Sequence, residues 1–460
     1  MKLRKLSLFL LANLVGLSLM AEGYQINSQS ARQIGMGHLG TALKLGGESM
    51  LFNPAGLSFM TGKIDVSLGV TTIFSKVTYT NVAGDYTAES DNPMGTPIFG
   101  YLGFKLSDKL FAGVSITNPV GNSLFWPKDW KGSHLVQDIS LKAYSVQPTI
   151  SYKFSEKFSI GAGLMVDFGS FDMNKGLIPV GGLDPYLSLN VPAAYKAAIT
   201  DAAGKTPMLA NLNGKASTAL GYNLGILYNP NEKWSFGLSY RSKVMMKVES
   251  GATTVTYGAT QVGSLISSVL ASGTAATNPL YNPSIAKAVS LGGKTFSAEL
   301  PIPSNLNFGV AYKATKKLLV SAELQYVGWK AYDSLRMEFA TTPAAYNAGQ
   351  KKNFKNSMIY RIGGEYKACE KMAFRLGFIF DSTPVDLMLY GPETPGANKM
   401  SFTGGLTYSP TKKMAIDLGF QYLNGAKTRG SLPQAAPMTA FVGDYKSTAL
   451  IPSLGFHFTF

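Results

Sequence analysis

From Lys63 to the C-terminus, large apolar residues alternate with small or polar ones in run after run, the period-2 signature of β-strands. Met414, Ile416, Leu418, Phe420 and Tyr422 share one face of such a run; Asp417, Gly419 and Gln421 share the other. The segments 158–168, 234–241, 318–326 and 372–381 read the same way. One face is uniformly large and apolar, the other small and polar with scattered charges. A soluble sandwich would instead carry a charged, wet face opposite its core. The pattern fits strands with lipid on one side and a lumen on the other.

The connections give the strand count. Six are short and basic, at 107–109, 155–157, 230–233, 315–317, 369–371 and 410–413. Seven longer ones lie near 81–93, 120–137, 174–215, 249–301, 333–354, 383–398 and 424–446. Short and long alternate strictly, as periplasmic turns and extracellular loops do in outer-membrane barrels. The prediction is an all-β membrane protein, a 14-stranded antiparallel β-barrel over 63–460. Its last strand is aromatic and ends in Phe460, which resembles the signal read by the barrel assembly machinery.

Composition narrows the class. Charged residues make up 15% of the 460, where about 25% is usual for a soluble domain. Aromatics reach 12% and Gly numbers 49. Past the N-terminus no 18-residue run is apolar and uncharged, which excludes membrane helices. The single Cys369 and three scattered histidines (His38, His134, His457) offer no metal-ligand spacing, so no metal and no cofactor is expected. Lys2, Arg4 and Lys5 followed by the apolar run 6–19 predict a secretory signal peptide over 1–21. That leader carries three of the cations behind the +15 formal charge. The remaining lysines sit largely in turns, not along a groove, so nucleic-acid binding is not expected. Export with one Cys points to a Gram-negative outer membrane.

Residues 22–62 do not alternate. Rich in Gly and polar residues, with helix-like fragments, they suit an N-terminal hatch, or plug, inside a lumen of this size. Within them run Gly23-Tyr24-Gln25-Ile26-Asn27, the spaced Gly35, Gly37 and Gly40, and Asn53-Pro54-Ala55. On these residues the chain resembles the long-chain fatty acid transporters of the FadL/TodX type, whose hatch carries the same Asn-Pro-Ala motif. The resemblance continues through 126–132, 303–329, 356–364 (NSMIYRIGG) and 380–385, and is weakest in the loops near 174–215 and 249–301.

The resemblance implies passive uptake of a hydrophobic molecule across the outer membrane. Loop capture, binding in the lumen and hatch movement would follow one another, with a sideways release at a kinked third strand. Fatty acids, aromatic hydrocarbons and other hydrophobic nutrients all suit the family. Each step has candidate residues. In 260–273, Val262, Leu265, Ile266, Val269 and Leu270 fall on one helical face that could capture ligand. Pro192 could open a second helix bearing Tyr195, Ala198 and Ile199. Pro119 cannot donate a ladder hydrogen bond, so it marks a bend or strand end; with Thr117 and Asn118 it is the candidate lateral gate. Parity turns Arg241, Arg361 and Arg375 into the lumen beside Asp167, Glu323, Glu365, Asp381 and Asp417, making the arginines candidate partners for a ligand carboxylate. Asn53 and Pro54 favour a defined turn. Phe125, Trp126, Trp130, Trp329 and Tyr332, near strand ends, read as an outer membrane girdle.

Rival functions fit less well. A membrane enzyme needs a nucleophile, a base and an orienter, and His457, lumen-facing on its strand, has no such partners in sequence. A general porin would lack the 22–62 segment, and a structural or adhesive barrel would use only its loops. The expected partners are a hydrophobic small molecule, outer-membrane lipid and the assembly machinery, with the chain acting as a monomer.

Overall fold

Alternation of large and small residues makes each strand two-faced, and fourteen such strands close on themselves. The computed structural model describes residues 23–188, 192–274, 276–278, 280–340, 348–434 and 439–460; the expected leader over 1–21 lies outside the described residues. The first strands are β1 (Ile64–Thr71 with Phe74–Asn81), β2 (Thr87–Glu89 with Ile98–Lys105) and β3 (Leu110–Thr117 with Gly121–Phe125). Then come β4 (Asp138–Ser155), β5 (Phe158–Ile178), β6 (Met208–Tyr228) and β7 (Trp234–Arg241 with Val244–Tyr257). Next are β8 (Thr295–Ile302 with Asn305–Lys313), β9 (Leu318–Val327 with Ser334–Phe339) and β10 (Ala348–Lys351 with Ser357–Lys367). The series ends with β11 (Met372–Asp381), β12 (Lys399–Thr411), β13 (Met414–Gly425 with Thr428–Leu432) and β14 (Phe441–Thr459). Each strand pairs antiparallel with the next, and β14 returns to β1 through Val66 opposite Phe458 and Val70 opposite Leu454.

Parity sorts the side chains as the alternation requires. Leu220, Phe308, Ile362 and Leu376 stand exposed on the outside, a wall that only lipid can cover. Asp167, Asn223, Glu323, Arg361 and Arg375 are buried on the other face.

Two sequence expectations need correction here. The strands outrun the expected loops: β5 reaches Ile178, β6 starts at Met208, β7 reaches Tyr257 and β8 starts at Thr295. Beyond the apolar belt the outward residues turn charged, as Lys247, Glu249 and Glu299 do, so the lipid-facing signal fades while the ladder continues. The aromatic girdle is also wrong in the main. Trp126, Trp130, Trp329 and Tyr332 are buried among inward residues, and Phe125 is half-buried. Interruptions in β3 and β9 reset the parity there and turn these rings inward.

The N-terminal segment is short helical pieces tied to many strands. Ser30 caps the helix Ala31–Ile34 by accepting from Gln33 N at 3.2 Å. Asn53 is fully buried: its side chain accepts from Ala55 N (3.1 Å) and donates to Thr41 O (2.7 Å) and Ile226 O (2.9 Å). Pro54 then opens the turn of helix Pro54–Phe59. The Ala55 carbonyl accepts from Ser151 on β4 and Ser159 on β5. On β9 the Glu323 carboxylate accepts from Gly40 N (3.2 Å), Thr41 N (2.9 Å) and Arg361 (3.2 Å). Arg32 reaches Glu365 at 3.2 Å, and Gly37 N donates to Thr403 on β12.

Close approach requires glycine opposite the Asn53 turn. A Cβ on Gly225 would lie 2.0 Å from Asn53 Oδ1. Gly225→Val should therefore displace the turn while leaving the barrel, which pairs by backbone, intact. Expected is a heat-modifiable barrel on gels, with new tryptic cleavage at Arg32, half-buried in the native chain; an unchanged digest would contradict this seating. Asn53→Ala removes three hydrogen bonds, worth about 1 kcal/mol each, and should open the same site more weakly.

Candidate functional site

The long-loop half of the barrel holds an apolar cavity of about 610 Å³. Ile139, Phe171, Met173, Leu212, Met246 and Leu300, from five neighbouring strands and the inward faces of their extensions, form most of its wall. These residues point inward for the reason that drives the whole barrel, the period of two along each strand. The volume falls in the range of about 300–1,000 Å³ usual for small-molecule sites.

Polar residues border this space as well, among them Asn122, His134, Thr253, Gln350 and Gln434. Lys175 on β5 borders it, and its ammonium makes no hydrogen bond or ion pair among the described residues. Lys142 borders it from β4 by its backbone, its side chain exposed on the outward face between the inward Leu141 and Ala143. Glu393 also borders it, but its carboxylate is held by the buried Lys352 ammonium.

Beneath lies a second, smaller chamber of about 70 Å³ with different chemistry. Its lining includes Asp167, Arg241, Asn307, Glu323 and Arg361 from the strands and His38 from the N-terminal segment. His38 packs on Phe52 with ring centroids 4.7 Å apart. Burial, aided by the Arg361 charge, pushes its imidazole well below the ordinary value, so it is neutral at pH 7. The site is thus an apolar chamber above a small, charged one.

The sequence candidates distribute unevenly over this geometry. Arg241 and Arg361 line the small chamber, not the apolar one. Arg361 is engaged by Glu323, and Arg241 donates to Leu51 O (3.3 Å) and Gln147 (3.2 Å). Arg375 borders neither chamber: it bonds Glu365 at 2.7 Å and lies 3.7 Å from Asp417. Leu265 and Ile266 are buried, and Val269 partly so, in a separate loop core with Ile199, Leu183 and Ile285, away from both chambers. Sequence reasoning missed Lys175 and Tyr24; the signal for Lys175 was its place on the inward-outward alternation of β5, obscured by treating 174–215 as loop.

At Thr117, Asn118 and Pro119 the β3 ladder is interrupted, and the N-terminal segment supplies the missing pairing. Asn118 N donates to Gln29 Oε1 (2.9 Å), and Gln29 Nε2 returns a bond to Asn118 O (2.6 Å). Ile26 N donates to Pro119 O (3.1 Å) and Gly121 N to Tyr24 O (3.0 Å). Thr117 is buried and still paired to Ser145. Outside this break stand exposed apolar side chains, Met94, Ile98 and Ile116.

Comparison with known proteins agrees with this architecture. Residues 12–460 match the family described as outer membrane protein transport protein (OMPP1/FadL/TodX). The chain is 22% identical over 423 residues to the long-chain fatty acid transport protein of Escherichia coli K12, covering 88% of this chain and 89% of that one. It is 21% identical over 342 residues to outer membrane protein P1 of Haemophilus influenzae, covering 70% of this chain and only 64% of the relative's length. In three dimensions it is similar to a Pseudomonas aeruginosa FadL homologue, with a TM-score of 0.75, 17% identity, and coverage of 95% of this chain and 100% of that one. A barrel closed by fourteen strands, with the family pattern running to Phe460, belongs to the OMPP1/FadL/TodX family of outer-membrane transport proteins.

Proposed function

We propose that this protein takes up hydrophobic molecules passively across the outer membrane, with long-chain fatty acids or similar amphiphiles as its ligands. The observation that carries the reading is the apolar 610 Å³ cavity set above a charged chamber of about 70 Å³. An apolar chain gains by leaving water for the upper space and gains nothing by continuing into the lower one. In this reading residues 22–62 are a hatch that fills the lumen, supported by their bonds to strands around the barrel, from Ser151 on β4 to Thr403 on β12. With Arg361 and Arg375 engaged by carboxylates, Lys175 is the cation available to a ligand carboxylate. Hatch movement would free the break at Thr117, Asn118 and Pro119, whose pairing comes from Gln29, Ile26 and Tyr24, and ligand would leave there into the bilayer. The loop core around Leu265, Ile266 and Val269 would act in capture through its surface.

The test is equilibrium binding of a fluorescent long-chain fatty acid to the purified protein. Met246→Asp, a carboxylate in the apolar wall, should weaken binding at least tenfold, about 1.4 kcal/mol. Lys175→Gln should weaken binding of the acid by a smaller factor and leave its uncharged alcohol unaffected. Equal affinity in wild type and Met246→Asp would remove the cavity from the function.

A general porin is the rival, and ion conductance separates the two. Glu323→Ala would leave Arg361 buried without its partner and free two hatch N–H groups, destabilising the hatch by about 3–5 kcal/mol. Single channels of this variant should open in planar bilayers where wild type stays nearly closed. Free conductance by wild type would favour the porin.

A further inference from the structure

The wall of the apolar cavity has a second interruption, five strands on from β3. Strands β8 and β9 pair from Phe296–Phe339 to Ala298–Met337 and again from Asn305–Val327 downward. Between them, the only backbone bond joining the two strands among the described residues is Gly328 N to Ser304 O, at 2.8 Å. The gap over 299–303 is five residues, roughly 16 Å of strand. Its cause is chemical: Pro301 and Pro303 have no N–H to donate. Opposite them the chain leaves the ladder in the turn Trp329–Ala331, and the Asp333 carbonyl accepts from Lys352 N and Asn353 N, between the two parts of β10, instead.

The gap lies between two spaces. Glu299, at its start, and the neighbouring pair Ala298 and Val248 of the intact β7–β8 ladder border both the apolar cavity and an open groove on the outer surface. Inside, Leu300, Tyr332 and Leu335 face the cavity. Outside, the rim is charged: Lys247 bonds Glu299 at 2.6 Å, and Asp333, Arg336 and Glu338 are exposed. The exposed apolar belt of these strands ends just below, at Leu306 and Tyr326. The β3 break is bordered outside by Met94, Ile98 and Ile116. One interruption meets lipid tails and the other meets the polar zone above them.

Tyr24 spans the gap from within. Tyr24 donates its hydroxyl to Pro301 O at 2.5 Å on the β8 side. Its ring packs edge-on against Trp329 (4.9 Å) and Tyr332 (5.6 Å) on the β9 side. The Tyr24 carbonyl meanwhile accepts from Gly121 N at the β3 break.

We propose that the gap between β8 and β9 is a side portal by which an apolar or amphiphilic small molecule enters the cavity from the polar zone outside the membrane, with Tyr24 as its inner stopper. The proposal rests on the uptake reading above. It divides the labour: entry at a charged rim, exit at an apolar one, and one residue of the N-terminal segment touching both.

Stopped-flow binding of the uncharged fluorophore 1-N-phenylnaphthylamine to the full-length protein tests it. Ala331→Trp, in the outer groove and outside the cavity lining, should slow association and dissociation together, each at least fivefold, with Kd changed less than twofold; Tyr24→Ala should speed both. Rates unchanged in Ala331→Trp, or a raised Kd with association unchanged, overturn the portal and leave the uptake reading standing. No binding by wild type overturns the uptake reading and the portal with it. Should Ala331→Trp fail to give a heat-modifiable barrel, cysteine labelling decides. In a Cys369→Ser background, which removes the sole cysteine, Leu335→Cys should react with a bulky fluorescein maleimide at least fivefold faster when Tyr24→Ala is added. An unchanged labelling rate overturns the proposal.

Discussion

Hydrocarbon offers no partner to a backbone N–H or C=O, and every other feature of this protein follows from that constraint. Fourteen strands satisfy it only because β14 pairs back onto β1, leaving no edge. Closure dictates two faces. The outer one carries Leu220, Phe308 and Leu376 to lipid; the inner one carries Gly225, Asn223, Glu323 and Arg361. Small residues on that inner face let Asn53 and Pro54 approach the wall at Gly225 and Gly161. The same rule makes any break in the ladder costly, so an unpaired stretch needs substitutes. At β3 these are the groups of Tyr24, Ile26 and Gln29. At β8 they are fewer, and the gap sits where charged side chains mark water.

Charge inside the barrel is arranged by the same logic. A buried carboxylate or guanidinium is tolerated when paired and bonded, and costly otherwise. Glu323 meets Arg361 and two backbone N–H groups; Glu365 meets both Arg32 and Arg375. These pairs cluster in the lower half. Beside the apolar cavity of the upper half stands one such buried pair, Lys352 with Glu393.

Much of this was legible in the order of residues. Strand number came from turns such as 155–157 and 369–371, because a lysine-bearing turn of two to four residues permits only an antiparallel return. The inward arginines followed from parity, and so did their carboxylate neighbours. What parity could not reveal lies where the count of two is broken. Trp329 and Tyr332 face inward because Gly328 and the turn Trp329–Ala331 interrupt β9. Lys175 borders the cavity because β5 runs to Ile178, past the point where its outward side chains stop being apolar. The β8 gap needs two prolines on one strand and a turn on its neighbour, a coincidence visible only once the strands are paired.

The most direct measurement of the central claim, that the upper chamber is a seat for a hydrophobic molecule, is native mass spectrometry of protein extracted from its own outer membrane. Expected is a bound species of low mass beyond the detergent, released intact on unfolding, acidic and long-chained, and absent from Met246→Asp. Protein that carries detergent alone, equally in both forms, would contradict it.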